Sequence, residues 1–562
     1  MRINVCFVHT PSIYDFRKRE IRSGPISDVV PSTPVFEMYP IGFLSMLGSL
    51  VRNGYSARIS NLAVGMLSSK KFNVADRIKE IDADLFGIDL HWLPHTHGVV
   101  EISKITKEIH PNSKILLGGF SASYFRDEIM QTMPWVDYIL AGDLQEQAIV
   151  NLAAFLEKNG DLSLIRNLIY RDRNGRIKEN PRENRADAIK KVFIDYKILA
   201  RNTIKYMDVL GHMPYYDWIR NPEAFTVIEH GCQFNCGFCG GSNFAYNSNY
   251  GNGSPLFREP KTIAEEIELV HDIIGSPVFI AGDLNVAGEK FYSKFFTEIK
   301  ERGIDIPLLT EYFVPPSESY FESLRKAFPD FTAEISPESS SEKIRQMAGR
   351  GYTNHDLEKS INYAKKNGCR KFDLYFTIGI PGQKEEDVYV DIEYSNKLRD
   401  ATESGGTKIF SFISPLSPFL DPGSIYYEHP ERYGIKLFAS SLKDYYNLLD
   451  RGKSWSDYLN YETDSMTRKD IERITYQSGI RMIQSSTGSG QISEREGRFL
   501  IENIEAYMKG NDYVREEDPS RHLTYLNKEI EWSSRHNLTW ISLLVFLYKN
   551  YNSVLRFLSV RN

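Results

Sequence analysis

Cysteine is scarce in this chain, and long apolar runs and a strong charge of one sign are missing from it. Five cysteines among 562 residues do not make the disulfide framework of a small secreted domain. The net charge of −6 comes from interspersed acidic and basic residues, so no electrostatic footprint for nucleic acid is present. The first residues lack the apolar core and cleavage site of a signal peptide, and we expect a cytoplasmic protein.

The length predicts more than one domain. A chain of 562 residues is several times longer than the ~100–200 residues of a typical domain, so two or three domains with their own cores are expected. In the first part, short apolar runs alternate with longer amphipathic segments, which is typical of a doubly wound α/β domain with a parallel sheet. These runs are Ile3–His9, Ala57–Ser60, Leu85–Leu90, Ile115–Leu117 and Tyr138–Leu140.

The turns after these runs are the candidate binding positions of the first domain. Ligands of a doubly wound sheet bind outside the carboxyl ends of its strands. The turns contain His91, Trp92, the pair Gly118-Gly119, and Gly142. Paired glycines would let a ligand approach the backbone closely, or they would only shape a tight strand-to-helix turn.

A hairpin and a linker follow the first domain. Asn174-Gly175 lies between the extended runs Asn167–Tyr170 and Arg176-Ile177, and this dipeptide is a strong hairpin signal. The charged stretch over residues 179–191 indicates a linker. We therefore predict a first domain over residues 1–165, and a hairpin with a linker over residues 166–215.

The second part repeats the β-α alternation and predicts a partial (β/α)6 barrel over residues 216–425. The working face of such a barrel lies at the carboxyl ends of its strands. Thr262 and Glu265 have the spacing of a capping box and predict the start of a helix. The region 426–562 is expected to be mainly helical. The predicted strands are Phe225–Glu229, Val278–Ala281, Leu308–Phe313, Ala333–Ser336, Leu374–Gly379 and Ile409–Ser414.

Three of the five cysteines are close together just after the first barrel strand. Cys232, Cys236 and Cys239 lie in the stretch GCQFNCGFCGG. A structural zinc site needs four ligands, and His230 is the nearest fourth one, so a zinc site remains an alternative. A [4Fe–4S] cluster held by three thiolates would keep one iron without a protein ligand. That iron could bind a substrate.

This spacing, with Phe238 just before the last cysteine, resembles the radical S-adenosylmethionine superfamily. The resemblance implies that the amine and carboxylate of S-adenosylmethionine bind the unique iron. It also implies that an electron from the cluster cleaves the sulfonium to a 5′-deoxyadenosyl radical. An external donor such as a ferredoxin or flavodoxin would have to supply that electron.

Other turns are similar to the parts of this family that hold S-adenosylmethionine. Gly282-Asp283, after the second barrel strand, occupies the place of a turn that binds the amine, although the family has Glu there more often. Glu338 and Ser339, after the fourth strand, match a turn that faces the ribose and the carboxylate, or they form a solvated turn. Gly379 and Pro381, after the fifth strand, resemble a turn near the adenine, or the glycine only shapes the turn.

The doubly wound domain ahead of the barrel is similar to the cobalamin-binding branch of this superfamily, as is the stretch Ser417–Ser424. The Asp-x-His-x-x-Gly motif, whose histidine binds cobalt in many cobalamin proteins, is absent after the first strand. His91 could bind cobalt instead, or Trp92 could cover the lower face of the corrin with an apolar surface. The candidate cobalamin residues are His91, Trp92, Gly118, Gly119, Ser121 and Gly142.

The substrate is less defined by the sequence. Glu311, Tyr312 and Tyr375 lie on predicted barrel strands and are candidate catalytic residues, but each could equally face the surrounding helices. The apolar run Leu538–Tyr548 is shorter than the ~20 residues of a membrane-spanning helix. It could be a core helix or an interfacial helix that brings the enzyme to a lipid-like substrate, so membrane contact is open.

The resemblance implies a cobalamin-dependent enzyme that methylates an unactivated carbon of a small-molecule or lipid-like substrate. One alternative keeps the same cofactors but performs a radical rearrangement, a cyclisation or carbon–carbon bond formation without methylation. A remote alternative is a non-catalytic binding module stabilised by zinc.

Overall fold

The structure is a computed structural model. It describes residues 2–19, 35–158, 160–216, 218–219, 221–251, 253–402, 406–415 and 420–508. The apolar run Leu538–Tyr548, and residues 417–419 of the stretch that resembles the cobalamin-binding branch, lie outside the described residues.

The first sheet has seven strands in the order β2-β1-β3-β4-β5-β6-β7. The pairings among β1 to β5 are parallel, and the hairpin β6-β7 continues the sheet in antiparallel direction beside β5. The doubly wound pattern predicted from the apolar runs is confirmed. The strands are β1 (Ile3–His9), β2 (Ala57–Asn61), β3 (Ala83–Asp89), β4 (Lys114–Gly118), β5 (Tyr138–Leu140), β6 (Leu168–Arg171) and β7 (Ile177–Glu179).

Helices flank this sheet and begin at local caps. The side chain of Asn61 accepts a hydrogen bond from the N–H of Val64, and Asn73 caps the next helix in the same way. Three short helices belong to the linker that leads to the barrel. The helices are α1 (Gly42–Arg52), α2 (Leu62–Ser68), α3 (Val74–Lys79), α4 (Thr96–Ile109), α5 (Phe120–Tyr124), α6 (Arg126–Thr132), α7 (Glu146–Lys158), α8 (Arg185–Ala188), α9 (Tyr196–Tyr206) and α10 (Val209–His212).

The second sheet is the predicted partial barrel, with six strands in the order β8-β11-β12-β13-β14-β15 and parallel pairing throughout. A separate two-stranded ribbon, β9-β10, stands at its first strand. The strands are β8 (Ala224–Val227), β9 (Glu229–His230), β10 (Leu256–Phe257), β11 (Val278–Ala281), β12 (Leu308–Tyr312), β13 (Phe331–Glu338), β14 (Lys371–Ile378) and β15 (Lys408–Pro415).

The barrel helices follow the strands, but the predicted capping box is wrong. The helix α12 begins at Pro260, because proline at the first position presets the helical backbone, and Thr262 already lies inside it. The helices are α11 (Asn243–Ala245), α12 (Pro260–Ile273), α13 (Glu289–Glu301), α14 (Glu318–Ala327), α15 (Glu342–Met347), α16 (Asn354–Lys366) and α17 (Glu385–Thr402).

The last described region is mainly helical and contacts both the barrel and the first domain. Arg473 pairs with Glu385 of the barrel at 2.8 Å, and Glu128 of the first domain accepts the N–H of Leu442 at 2.8 Å. No helix of the described ranges is long and apolar enough to cross a membrane. The elements are α18 (Ile425–Glu428), β16 (Ile435–Leu437), α19 (Leu442–Arg451), β17 (Tyr461–Thr463), α20 (Arg468–Gly488) and α21 (Glu494–Met508).

Candidate functional site

The cysteine loop leaves the carboxyl end of the first barrel strand and is closed at its base. Cys232 lies two residues after the end of β9, and β10 returns the chain, so the β9-β10 ribbon pairs the two ends of the loop. The loop therefore lies at the face where a β/α barrel carries its chemistry.

The three loop cysteines are free thiols held by backbone donors. The N–H of Phe234 points at Cys232 Sγ (3.4 Å), and the N–H of Gly241 points at Cys239 Sγ (3.3 Å). Burial raises the pKa of Cys232 to about 11, and burial also raises the pKa of Cys236 and Cys239. Thiolates in this setting need a metal to balance them, and N–H donors to sulfur are a regular feature of iron–sulfur sites.

The geometry of the loop fits a cluster better than a zinc ion. In the described part of the chain, no three His, Cys, Asp or Glu side chains are gathered closely enough to hold one metal ion. A zinc ion needs its ligands around a single centre. In a cubane each thiolate binds a different iron, so its ligands stand further apart. His230 lies toward Asp143 instead, with 3.8 Å between Nδ1 and Oδ2.

Neighbouring segments hold the loop tightly. A Cβ on Gly349 would come within 2.8 Å of the Cα of Cys236, so this position needs glycine for the close approach. The carboxylate of Asp421 accepts the N–H of Gly240 at 2.9 Å. Asp421 belongs to the part of the stretch Ser417–Ser424 that the structure describes. Through this hydrogen bond the stretch contacts the cysteine loop directly.

Asp283, the predicted amine-binding residue, is committed to the backbone. One carboxylate oxygen accepts the N–H groups of Asn285 and Val286, and the other accepts those of Phe313 and Val314, at 2.7 to 3.3 Å. The side chain is fully buried. Burial raises its pKa to about 7, and the four N–H groups act against that rise because they stabilise the carboxylate. Asp283 thus ties the turn after β11 to the turn after β12.

Two other carboxylates surround the neighbouring Gly282. Glu311 Oε1 accepts the N–H of Gly282 at 2.6 Å, and Glu229 Oε1 lies 3.4 Å from the position of a Cβ on that glycine. Burial, and then the charges of Asp283 and Glu311, raise the pKa of Glu229 to about 8. Glu229 in turn is near enough to raise the pKa of Cys232. Three carboxyl groups are therefore concentrated beside the cysteine loop, and an ammonium group bound among them would stabilise their ionised forms.

The predicted polar turn after β13 splits into two roles. Glu338 forms an ion pair with Arg350 (3.2 Å) and accepts the hydroxyl of Thr377 (2.7 Å). Ser339 donates to Asp391 of α17 at 3.0 Å and so belongs to the helix side. Sequence reasoning missed Arg350, which follows Gly349 against the loop and whose charge couples to Cys236.

The predicted turn after β14 reaches the cysteine loop. Gln383 accepts the N–H of Gly379 at 2.8 Å and donates to the carbonyl of Thr377, so this one side chain shapes the turn around the buried Pro381. Ile380 of the turn packs in one apolar cluster with Phe238. The structure therefore brings Phe238, Gly379 and Pro381 together.

The barrel strands decide which candidate catalytic residues face inward. Along β14, alternate residues are fully buried against the helices, whereas Tyr375 is half-buried and stacks on Phe412 at 5.0 Å between ring centroids. Glu311 shares the half-buried face of β12. Tyr312 is 1% exposed and packs against Tyr320 of α14, 5.7 Å between ring centroids. Glu311 and Tyr375 thus line the barrel interior, and Tyr312 does not.

An open cleft lies between the two sheets, and the empty space in and around its mouth is about 1120 Å³. Its floor is the carboxyl edge of the first sheet, and Val227 and His230 at the first barrel strand close the opposite side. The predicted cobalamin residues His91, Trp92, Gly118, Gly119 and Gly142 line this cleft, and Ser121 does not.

His91 is positioned at the cleft by its backbone and by ring packing. The hydroxyl of Ser121 donates to the carbonyl of His91 at 3.0 Å, and the imidazole packs between Trp92 (4.7 Å) and Phe120 (4.9 Å). Burial lowers the pKa of His91 to about 4, so the ring is neutral near pH 7. A neutral imidazole can bind a metal, and Trp92 beside it offers an apolar surface.

A buried acceptor in the floor fits a corrinoid. The Phe36 carbonyl lies 3.1 Å from His9 Nε2 and 2.8 Å from His95 Nε2, so both nitrogens carry protons, because a carbonyl only accepts. His9 Nδ1 contacts one oxygen of Asp89 at 2.9 Å. The other oxygen, Oδ2, is buried without a hydrogen-bond partner in the described residues, and Asp89 lines the cleft. An amide N–H of a corrin side chain would satisfy it.

We expect Gly119→Ala to weaken cobalamin binding and to lower stability. Gly119 has a φ of +107°, and a Cβ there would come 2.4 Å from the Cα of His91. The turn must move, which should lower the free energy of unfolding by about 1–3 kcal/mol. Urea unfolding and cobalamin retained after desalting measure the two effects. Gly54→Ala is the matched control, because Gly54 has a φ of +87° with nothing within 4 Å, and equal losses in both variants would contradict the prediction.

Comparisons with known proteins agree with this geometry. The family model described as the Radical SAM superfamily matches residues 226–394, and the model of the B12 binding domain matches residues 28–160. The structure of the radical S-adenosylmethionine methyltransferase TsrM from Kitasatospora setae, with cobalamin and a [4Fe–4S] cluster bound, aligns with a TM-score of 0.57. It is 13% identical and covers 90% of this chain and 100% of that chain, which shows a shared fold.

Two relatives are similar in sequence. The uncharacterized methyltransferase PH0819 of Pyrococcus horikoshii is 25% identical over 386 residues, which are 66% of this chain and 78% of that protein. The anaerobic magnesium-protoporphyrin IX monomethyl ester cyclase of Rubrivivax gelatinosus is 22% identical over 324 residues, which are 56% of this chain and 54% of that protein. With both domain models matched in this order and the fold shared, the chain combines a B12 binding domain with a Radical SAM superfamily domain, and the cofactors of this combination are a [4Fe–4S] cluster, S-adenosylmethionine and cobalamin.

Proposed function

We propose that this enzyme is a cobalamin-dependent radical methyltransferase that methylates an unactivated carbon of a small molecule. The observation that carries the proposal is the shared cleft, in which the binding edge of the first sheet faces Val227 and His230, just ahead of the cysteine loop. A corrinoid in this cleft is a neighbour of a cluster on that loop. The likeness to the methyltransferase PH0819 supports the same reaction class.

Each cofactor has residues suited to it. When bound, the reduced cluster supplies the electron that cleaves S-adenosylmethionine, and the corrinoid carries the methyl group. Cys232, Cys236 and Cys239 would hold the cluster. Glu229 and Glu311 would balance the ammonium of S-adenosylmethionine, because Asp283 is already used by four backbone N–H groups. The corrinoid would be held by His91, Trp92, Gly118, Gly119 and Gly142, with Ser121 fixing the backbone of His91.

The barrel interior favours a substrate with both polar and apolar parts. The carboxylate of Glu311 and the hydroxyl of Tyr375 offer hydrogen bonds, and Phe412 adds an apolar ring beside Tyr375. A small molecule with a hydrogen-bonding group next to an apolar or aromatic skeleton suits this surface. The electron that reduces the cluster would come from a ferredoxin or flavodoxin.

The test uses purified protein reconstituted anaerobically with iron, sulfide and cobalamin. With S-adenosylmethionine and a strong reductant, we expect S-adenosylhomocysteine in addition to 5′-deoxyadenosine, because a methyltransferase takes a methyl group from one molecule and a radical from another. Liquid chromatography with mass spectrometry quantifies both products. If 5′-deoxyadenosine forms and S-adenosylhomocysteine never does, methyl transfer is ruled out.

Cyclisation is the second candidate, and the likeness to the magnesium-protoporphyrin ester cyclase favours it. This candidate would keep the same cofactors and perform a radical cyclisation without methylation. The outcome with 5′-deoxyadenosine alone would support this candidate, and a porphyrin ester would then be the first substrate to try.

A further inference from the structure

Glu146 is a buried carboxylate among the residues that line the cleft. It begins α7, is 5% exposed, and lines the cleft together with Ser45 of α1. The hydroxyl of Ser45 donates to Glu146 Oε1 at 2.5 Å. One oxygen of this carboxylate is therefore fixed in direction by a neighbouring helix.

The second oxygen of Glu146 lacks a hydrogen-bond donor in the part of the chain that the structure describes. Glu146 Oε2 is buried, and no donor of the described residues reaches it. A buried acceptor without a partner is unfavourable, so such groups in a binding cleft commonly meet a ligand or an ordered water. The lining of the cleft also includes the apolar side chains of Phe43, Met46 and Val192.

The charges of the cleft restrict what the ligand can present there. Its described lining contains the acidic residues Asp89, Asp143 and Glu146 but neither lysine nor arginine. An anionic group, such as a phosphate, would be repelled at this wall. A neutral N–H or O–H donor of the ligand would instead donate a hydrogen bond to Oε2 of Glu146.

We propose that Glu146 selects the corrinoid by accepting a hydrogen bond from one of its neutral donors. This inference rests on the proposed function, because it takes the cleft as the corrinoid site. A corrinoid offers two sources of such a donor, namely the amide groups around the corrin ring and the ribose hydroxyls of the nucleotide tail. Ser45 acts as a positioning residue that aims the carboxylate.

The experiment measures corrinoid binding, which needs no turnover. Full-length protein is titrated with hydroxocobalamin and with cobinamide, which keeps the ring amides but lacks the nucleotide, and the Kd values are read from corrin absorbance after equilibrium dialysis. Glu146→Gln keeps the shape and the bond from Ser45 but turns an amide donor toward the ligand. We expect it to raise the Kd for cobalamin about tenfold or more, the loss typical of a hydrogen bond to a charged group.

The control is Glu157→Gln, the same chemical change at an exposed position of α7, which should leave both Kd values unchanged. Ser45→Ala, which keeps the carboxylate but removes its orientation, should raise the Kd by a smaller factor. It also keeps the test valid if Glu146→Gln does not fold. Circular dichroism melting verifies folding of every variant.

The outcomes separate the sources and the failures. An equal rise for cobalamin and cobinamide assigns the contact to a ring amide, and a rise for cobalamin alone assigns it to the ribose. Unchanged Kd values for both corrinoids in the folded variants would overturn the inference while the proposed function survives. If the wild type binds neither corrinoid, the proposed function fails and this inference falls with it.

Discussion

Replacing Cys232, Cys236 and Cys239 by alanine should abolish the iron–sulfur cluster and all cleavage of S-adenosylmethionine. We propose that the three thiols of the loop hold the cluster, and Phe234 and Gly241 point N–H groups at two of the sulfurs. Without the sulfurs no protein ligand remains for the irons. Iron and sulfide content, together with 5′-deoxyadenosine formed under strong reduction, measure the loss, which should be complete within detection.

The control for this variant is Cys6→Ala. Cys6 is fully buried in β1 of the first domain, and its thiol donates to the carbonyl of Phe7 at 3.8 Å. We expect this protein to keep its cluster and its cleavage activity, with only a modest loss of stability from a small cavity. If the triple variant were to hold iron and sulfide at the wild-type ratio, the cluster would have to bind elsewhere.

Asp283→Ala should lower the free energy of unfolding by about 3–5 kcal/mol. The substitution removes the common acceptor of four backbone N–H groups, those of Asn285, Val286, Phe313 and Val314. Because the side chain of Asp283 is fully buried, water does not replace the lost acceptor readily. The turns after β11 and β12 would then lose the link between them. Urea unfolding followed by circular dichroism measures the change.

Two further variants show whether Asp283 is structural. Asp283→Asn keeps one acceptor but turns an amide toward the remaining N–H groups, so its loss should be substantial as well. Asp305→Ala, an exposed aspartate ahead of β12, should change stability by less than about 0.5 kcal/mol. A folded Asp283→Asn protein of wild-type stability that binds S-adenosylmethionine poorly would instead assign Asp283 to the amine, as the sequence suggests.

Local patterns carried the fold correctly where the signal is local. The apolar runs of both parts become strands whose ends lie within three residues of the prediction, because a strand buried between helices needs continuous apolar side chains. The cysteines come just after the first predicted barrel strand, and this position was enough to place their loop at the carboxyl face of the barrel. The predicted start of α12 is wrong. Pro260 is a stronger start signal than the capping-box spacing of Thr262 and Glu265, and the helix begins at Pro260.

The roles of single polar residues needed the tertiary structure. Glu311 and Tyr312 are adjacent in sequence, and only the helix packed behind β12 shows that Tyr312 faces away from the interior. Asp283 finds two of its donors about thirty residues away, at Phe313 and Val314, and no local pattern encodes that contact.

What the sequence by itself determined is the order of a doubly wound domain, a barrel and a three-cysteine loop, because periodicity and spacing are properties of neighbouring residues. Only the tertiary structure decided that the carboxyl edge of the first sheet and residues just ahead of the cysteine loop line one cleft. It also decided that Glu146 and Asp89, which both line that cleft, each bury a carboxylate oxygen to which no described residue donates a hydrogen bond. These features depend on contacts between segments far apart in the chain. The free-energy cost of burying a carboxylate depends on the hydrogen-bond donors around it, and those donors are known only from the tertiary structure.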